Sequence, residues 1–125
     1  MKNCNSKFKD DIKKRTYFYA LEVMRSLEQL PKNDFSADIV AKQLLRSATS
    51  IGANIIEAQA AGSKRDFTNY LRYSLKSANE SKFWIALLRD SGKLNRELSN
   101  SLLEEAKELA NILGKSILTL KNKNL

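Results

Sequence analysis

Apolar residues return at spacings of three and four along most of the chain, and the polar positions between them follow the same beat. The plainest run is Leu98, Leu102, Ala106, Leu109, Leu113, Ile117 and Leu120. A second holds Ala37, Val40, Leu44, Ala48, Ile51, Ile55 and Ala58. Phe67, Leu71, Leu75, Ala78 and Ile85 mark a third, and Ala20, Val23, Met24 and Leu27 a shorter first one. Such spacing keeps one stripe on one face of a helix turning every 3.6 residues. No segment of five or more residues alternates as a strand would. The pattern predicts four helices.

The few helix breakers fall between these stripes. Leu30-Pro31-Lys32-Asn33 ends the first helix, and Ser36 is the expected N-cap of the second. Ala61-Gly62 closes the second, Ser63 with Asp66 opens the third, and Gly92 follows the third at C′. Asn95 caps the fourth. The expected helices cover about 10–30, 36–61, 64–91 and 96–121, with 1–9 a flexible basic leader. Short loops make successive helices antiparallel, so the expected fold is an all-α, up-down-up-down four-helix bundle in one domain.

The second helix lacks a solvated face. From Gln43 to Ala61 only Arg46 and Glu57 are charged, and Thr49, Gly52, Ala53 and Ala60 form a side of small residues. A glycine inside a helix costs about 1 kcal/mol against alanine, so Gly52 suggests a close backbone approach. Such a helix is expected to be covered on several sides, which makes Thr49, Gly52, Ala53 and Ala60 the expected contact between copies of the chain. The alternative is a well-packed monomer with a weakly polar face. A hairpin turning near residues 62–63 sets Arg46 beside Glu80, expected as a partly buried, structural ion pair. Breaking such a pair would cost about 3–5 kcal/mol.

Charge adds a candidate surface. Twenty-two Lys and Arg against fourteen Asp and Glu leave a formal charge of +8. The excess is +3 over residues 1–30, 0 over 31–62, +3 over 63–92 and +2 over 93–125. It avoids the helix expected at the subunit contact. On the third helix Arg65, Asn69, Arg72, Lys76, Asn79 and Phe83 share one stripe, basic and amide-bearing with an aromatic at its end. This suits phosphate contacts with a base stacked at one end, and the plainer alternative is a solvated helix face. Lys7, Lys9, Lys13, Lys14 and Arg15 form a second basic cluster, interrupted by Asp10 and Asp11. Glu104, Glu105 and Glu108 with Lys107 suggest ordinary surface charge.

The same composition removes most catalytic chemistry. Histidine is absent, so there is no imidazole base, no histidine metal ligand and no Ser-His-Asp site. Cys4 stands alone, which leaves no disulfide within the chain and no thiolate zinc site. No glycine-rich phosphate loop has the required spacing. No apolar run approaches the about 20 residues of a membrane span, and the first residues lack the apolar stretch of a signal peptide. The expectation is a cytoplasmic binder with no catalytic residues, no metal, no cofactor and no membrane partner.

Residues 43–94 closely resemble the bacterial 23S rRNA intervening-sequence family. Its pattern R-S-x-x-S-I-x-x-N-I-x-E is matched by Arg46, Ser47, Ser50, Ile51, Asn54, Ile55 and Glu57. Ser63 and Phe67 follow, then Ser77 and Glu80 in the third helix. Ala58 stands where the family usually has glycine. The resemblance implies an antiparallel four-helix bundle and a homopentamer. It also implies kinship with the accessory variability protein of diversity-generating retroelements, a basic bundle that works with a reverse transcriptase and nucleic acid. Two functions follow: a homo-oligomer binding structured RNA or another nucleic acid, or a scaffold for a protein partner such as a polymerase.

Overall fold

The computed structural model describes residues 2–122, with side chains from residue 11 onward. Four helices follow one another: α1 (Lys2–Leu27), α2 (Phe35–Gln59), α3 (Lys64–Asp90) and α4 (Arg96–Asn122). Contacts join α1 to α2, α2 to α3, α3 to α4 and α4 back to α1, with α2 and α3 the most extensive pair. That is the up-down-up-down bundle. No described helix is long and apolar enough to cross a membrane.

Local chemistry sets the ends. Ser63 Oγ accepts from Asp66 N at 3.1 Å, and Asn95 Oδ1 accepts from Leu98 N at 2.9 Å. Past α3, Gly92 takes φ +76°, where a Cβ would be strained. Its N–H donates to Arg89 O at 3.1 Å while Lys93 N donates to Leu88 O at 2.9 Å. This satisfies two carbonyls of the last turn and turns Leu94 into the core.

Two expected boundaries change. The cap of α2 is Asp34, not Ser36: Asp34 Oδ1 accepts from Ala37 N at 3.0 Å, and Ser36 Oγ donates to that same carboxylate. The helical backbone of α1 begins at Lys2, so helix replaces the expected leader over residues 2–9. The side chains of Cys4, Lys7, Lys9 and Asp10 lie outside the described residues.

The core runs the length of the bundle. Leu44, Ala48, Ile51 and Ile55 from α2 meet Leu71, Ala78, Ile85 and Leu88 from α3 and Leu102, Ala106, Leu109 and Leu113 from α4. Each large aliphatic side chain fully buried here contributes about 1.5–3 kcal/mol. In α1 the buried set is Ile12, Thr16, Tyr19, Val23 and Ser26, while Ala20 and Leu27 are half-buried and Met24 is exposed. Small polar residues let α2 and α3 approach closely: Ser74 is fully buried and its Oγ donates to Ile51 O at 2.8 Å. Among the described residues no buried side-chain polar atom lacks a partner.

Candidate nucleic-acid interface

The outward face of α3 is set by its own core stripe. Leu71, Ser74, Ala78, Ser81, Ile85 and Leu88 point inward. Residues on the opposite side of the helix must then face solvent. Arg65, Arg72, Lys76, Asn79 and Phe83 are exposed, and Asn69 is half-buried. The predicted stripe is therefore one continuous surface. Arg72 Nη1 donates to Asn69 Oδ1 at 3.1 Å, which steadies the guanidinium without neutralising it. At the far end Phe83 is 57% exposed and packs edge-on against Trp84, with ring centroids 4.9 Å apart. Its free face suits base stacking.

Most arginines elsewhere are occupied. Arg15 Nη2 reaches Glu105 Oε1 at 2.7 Å and Glu108 Oε2 at 3.6 Å, joining α1 to α4. Hydrogen bonding to Glu105, above all, raises the pKa of Arg15. Those glutamates are thus a tie between helices and not ordinary surface charge. Arg25 pairs with Glu22, Arg46 with Glu80 and Arg89 with Asp90. Arg96 is close enough to Asp90 to help lower that carboxyl's pKa, after the larger effects of Arg89. Among the described residues, Arg65, Arg72 and Arg96 are the three of the seven arginines that form no ion pair, and of these only Arg96 acts on a carboxyl at longer range.

Arg46 and Glu80 do meet, as the hairpin register predicts, but the pair is not buried. The contact is 3.8 Å long and the Arg46 side chain is 72% exposed. Glu80 is fixed instead by Trp84, whose Nε1 donates to Glu80 Oε2 at 3.0 Å. Arg46 Nη2 also donates to Gln43 Oε1 at 3.2 Å. Ser50, Tyr73, Lys76 and Ser77 complete a shallow polar groove between α2 and α3 beside this pair.

On the other flank of α2 lies an apolar groove of about 740 Å³ shared with α1. Thr49, Gly52 and Ala53 line it together with Tyr17, Phe18, Leu21, Met24 and Ile56. Tyr17, Phe18, Met24 and Ile56 are each more than half exposed. Of the residues expected at a subunit contact, three lie here. Ala60 does not; it is the C-cap of α2. Gly52 also has a reason within the chain, since a Cβ there would come within 3.1 Å of Thr16 Oγ1. Sequence reasoning missed the α1 half of the groove, although the adjacent aromatic pair Tyr17-Phe18 was its visible signal.

At the end of the bundle where α3 starts and α4 finishes, Lys64, Arg65, Thr68, Arg72 and Lys121 line a cleft of about 310 Å³. Lys64 and Lys121 are exposed cations that extend the stripe, and they come together only through the fold. Among the described residues no group of three or more His, Cys, Asp or Glu side chains is placed to hold a metal ion.

Residues 9–115 match the model of a family described as 23S rRNA-intervening sequence protein. A solved structure from Bacteroides thetaiotaomicron, described as a protein with unknown function from the S23 ribosomal protein family, is similar over most of the chain. It is 36% identical, with a TM-score of 0.78, over 85% of this chain and 97% of that one. No functionally curated protein matches.

Proposed function

The chain belongs to the 23S rRNA-intervening sequence protein family, and from that premise we propose that it is a non-enzymatic, homo-oligomeric bundle that binds RNA through the outer face of α3. One observation carries this reading: the exposed stripe Arg65–Phe83 holds two of the three arginines that form no ion pair among the described residues. A guanidinium fork left open to solvent fits phosphate oxygens, and Phe83 offers a stacking face. An RNA partner implies work in the cytoplasm.

The apolar groove between α1 and α2 supports self-association. Large exposed apolar patches on soluble chains mark contact surfaces, and this one sits on the flank away from α3. Closing a ring through it, with five copies as the family resemblance suggests, leaves the cationic face outward. Each copy then brings its net charge of +8 to the assembly.

Affinity for structured RNA measured against salt tests the proposal. The logarithm of the binding constant falls with the logarithm of salt by roughly 0.7–0.9 per phosphate contacted. Replacing Arg65, Arg72 and Lys76 with alanine flattens that slope and leaves melting unchanged. An unchanged slope removes α3 as the interface. The apolar groove also favours a second reading, a scaffold for a different protein, and capture of that partner surviving nuclease treatment would establish it instead.

A further inference from the structure

Among the described residues, four cations line the cleft at the start of α3 and no acidic side chain does. Lys64 and Arg65 come from the first turn of α3, Arg72 from its third, and Lys121 from the last turn of α4. Among the described residues none of the four lies within 4.0 Å of a carboxylate. Asp66 shares the first turn but points nearly opposite Lys64, about 160° round the helix. The cleft thus gathers positive charge that no described carboxylate offsets, which suits an anion. The groove beside Arg46 and Lys76 differs, because Glu80 lies within it and offsets its charge.

Anion charge discriminates between ligands. A phosphodiester inside a strand carries one negative charge, whereas a phosphate monoester carries about −1.5 to −2 at pH 7 and three acceptor oxygens. Two guanidinium forks and two ammonium groups match the second better. Arg72 is already steadied by Asn69. Two of the cleft's cations, Arg65 and Arg72, are also the first two of the α3 stripe, so cleft and stripe are continuous. From Arg65 to Phe83 the stripe spans about 27 Å along α3.

We propose that this cleft seats the terminal phosphate monoester of an RNA strand, whose following nucleotides run along α3 toward Phe83. The inference rests on the RNA-binding reading above and adds to it a preference for strand ends.

The test uses the full chain and one RNA sequence in three forms: 5′-phosphorylated, 3′-phosphorylated, and with hydroxyls at both ends. Binding is followed by fluorescence anisotropy at fixed salt. One phosphorylated form binds about tenfold tighter than the hydroxyl form, the worth of one added charge-assisted contact. Lys64→Ala with Lys121→Ala abolishes that preference, so that all three forms bind alike, and a preference that survives the double variant overturns the cleft. Both positions are exposed, and an unaltered melting curve confirms the fold of the double variant. Equal affinity for all three forms, with the Arg65, Arg72 and Lys76 variant still weakening each, overturns the cleft and spares the interface. Failure to bind any form overturns both. Inorganic phosphate or a free nucleoside monophosphate competing at the oligomer's own concentration shows a small-anion site and overturns the strand-end assignment.

Discussion

The hydroxyl groups of Tyr19 and Ser81 lie 2.9 Å apart in the core, joining α1 to α3 across the diagonal of the bundle. These two helices are not neighbours. Tyr19 reaches through the interior, and Ser81 passes the chain of bonds on by donating to Ala78 O at 2.9 Å. Burial, the largest influence, pushes the Tyr19 pKa from 10.0 up to about 12.

A raised folded-state value means that the folded protein keeps a proton which the unfolded chain gives up. Stability from this group is therefore full below pH 10 and is lost as pH rises from 10 to about 12. The loss is on the order of 3 kcal/mol. Urea unfolding across pH 8–12 should show this step in the native protein, and Tyr19→Phe should remove the part that Tyr19 contributes. An unaltered step in the variant assigns the transition to other groups.

Gly52 and Thr16 are predicted to be coupled. Thr16 is buried, and its Oγ1 donates to Lys13 O at 3.0 Å, so it yields little space to a Cβ at residue 52. Gly52→Ala should destabilise by about 1 kcal/mol despite its better helix propensity. With Thr16→Ala already in place, the same change should instead stabilise by up to about 1 kcal/mol. Additive effects in this double-mutant cycle would show that the two sites do not press on each other.

Asp34 both caps α2 and binds Lys93 Nζ, which ties the α1–α2 loop to the α3–α4 loop. Hydrogen bonding to Lys93, and next to Ala37 N, lowers its pKa below 3.8. A lowered value contributes stability above pH 3.8 that disappears as pH falls through the folded-state value. Asp34→Asn keeps a good cap but loses the charge, and Asp34→Ala loses both. Melting temperatures at pH 7 should rank native, then Asp34→Asn, then Asp34→Ala. The first gap should close in strong acid; a gap that persists there would point to lost packing and not to the ion pair.

The exposure of Arg46 predicts a small cost for its loss. Arg46→Ala should destabilise by no more than about 1 kcal/mol, well short of the 3–5 expected of a buried pair. Glu80→Leu should cost more than Arg46→Ala because it leaves Trp84 Nε1 without its acceptor. Equal losses in denaturant unfolding would make the ion pair, and not the indole bond, the stabilising contact.

Self-association is checked by light scattering. The native chain should show a mass several times 14.2 kDa. Phe18→Glu with Ile56→Glu places two charges in the α1–α2 groove and should reduce that mass to one chain while helicity is retained. A monomeric native chain would withdraw the groove as a subunit contact.

How much of this was legible in sequence depended on how plainly each stripe declared itself. The α4 stripe was plain because it consists of leucine, isoleucine and alanine, and Leu102, Ala106, Leu109 and Leu113 are buried as expected. In α1 the buried positions 12, 16, 19, 23 and 26 keep the same 4-3-4-3 rhythm. Three of them are Thr16, Tyr19 and Ser26, whose hydroxyls hide the stripe from a purely apolar pattern, whereas Ala20 and Met24 fit that pattern without being buried. Their hydroxyls are satisfied internally, by Lys13 O, Ser81 and Glu22 O. The cap of α2 slipped by two residues because Asp34 and Ser36 are both good caps, and only geometry separates them. The α3 stripe was visible because it belongs to one helix. Lys64 and Lys121 were not joined to the same cleft in sequence because 57 positions separate them.

The Asp34–Lys93 tie also gives the bundle a direction. Both loops at that end are stitched together, whereas the start of α3 and the finish of α4 meet at the other around cations that no described ion pair ties together. Opening by thermal fluctuation should therefore begin at the cationic end and travel toward the stitched one, like a zipper released from one side. A dianion held between Lys64 and Lys121 would latch the loose end. Occupancy would then be readable as slowed amide exchange in the last turns of α4, far from the stacking face at Phe83.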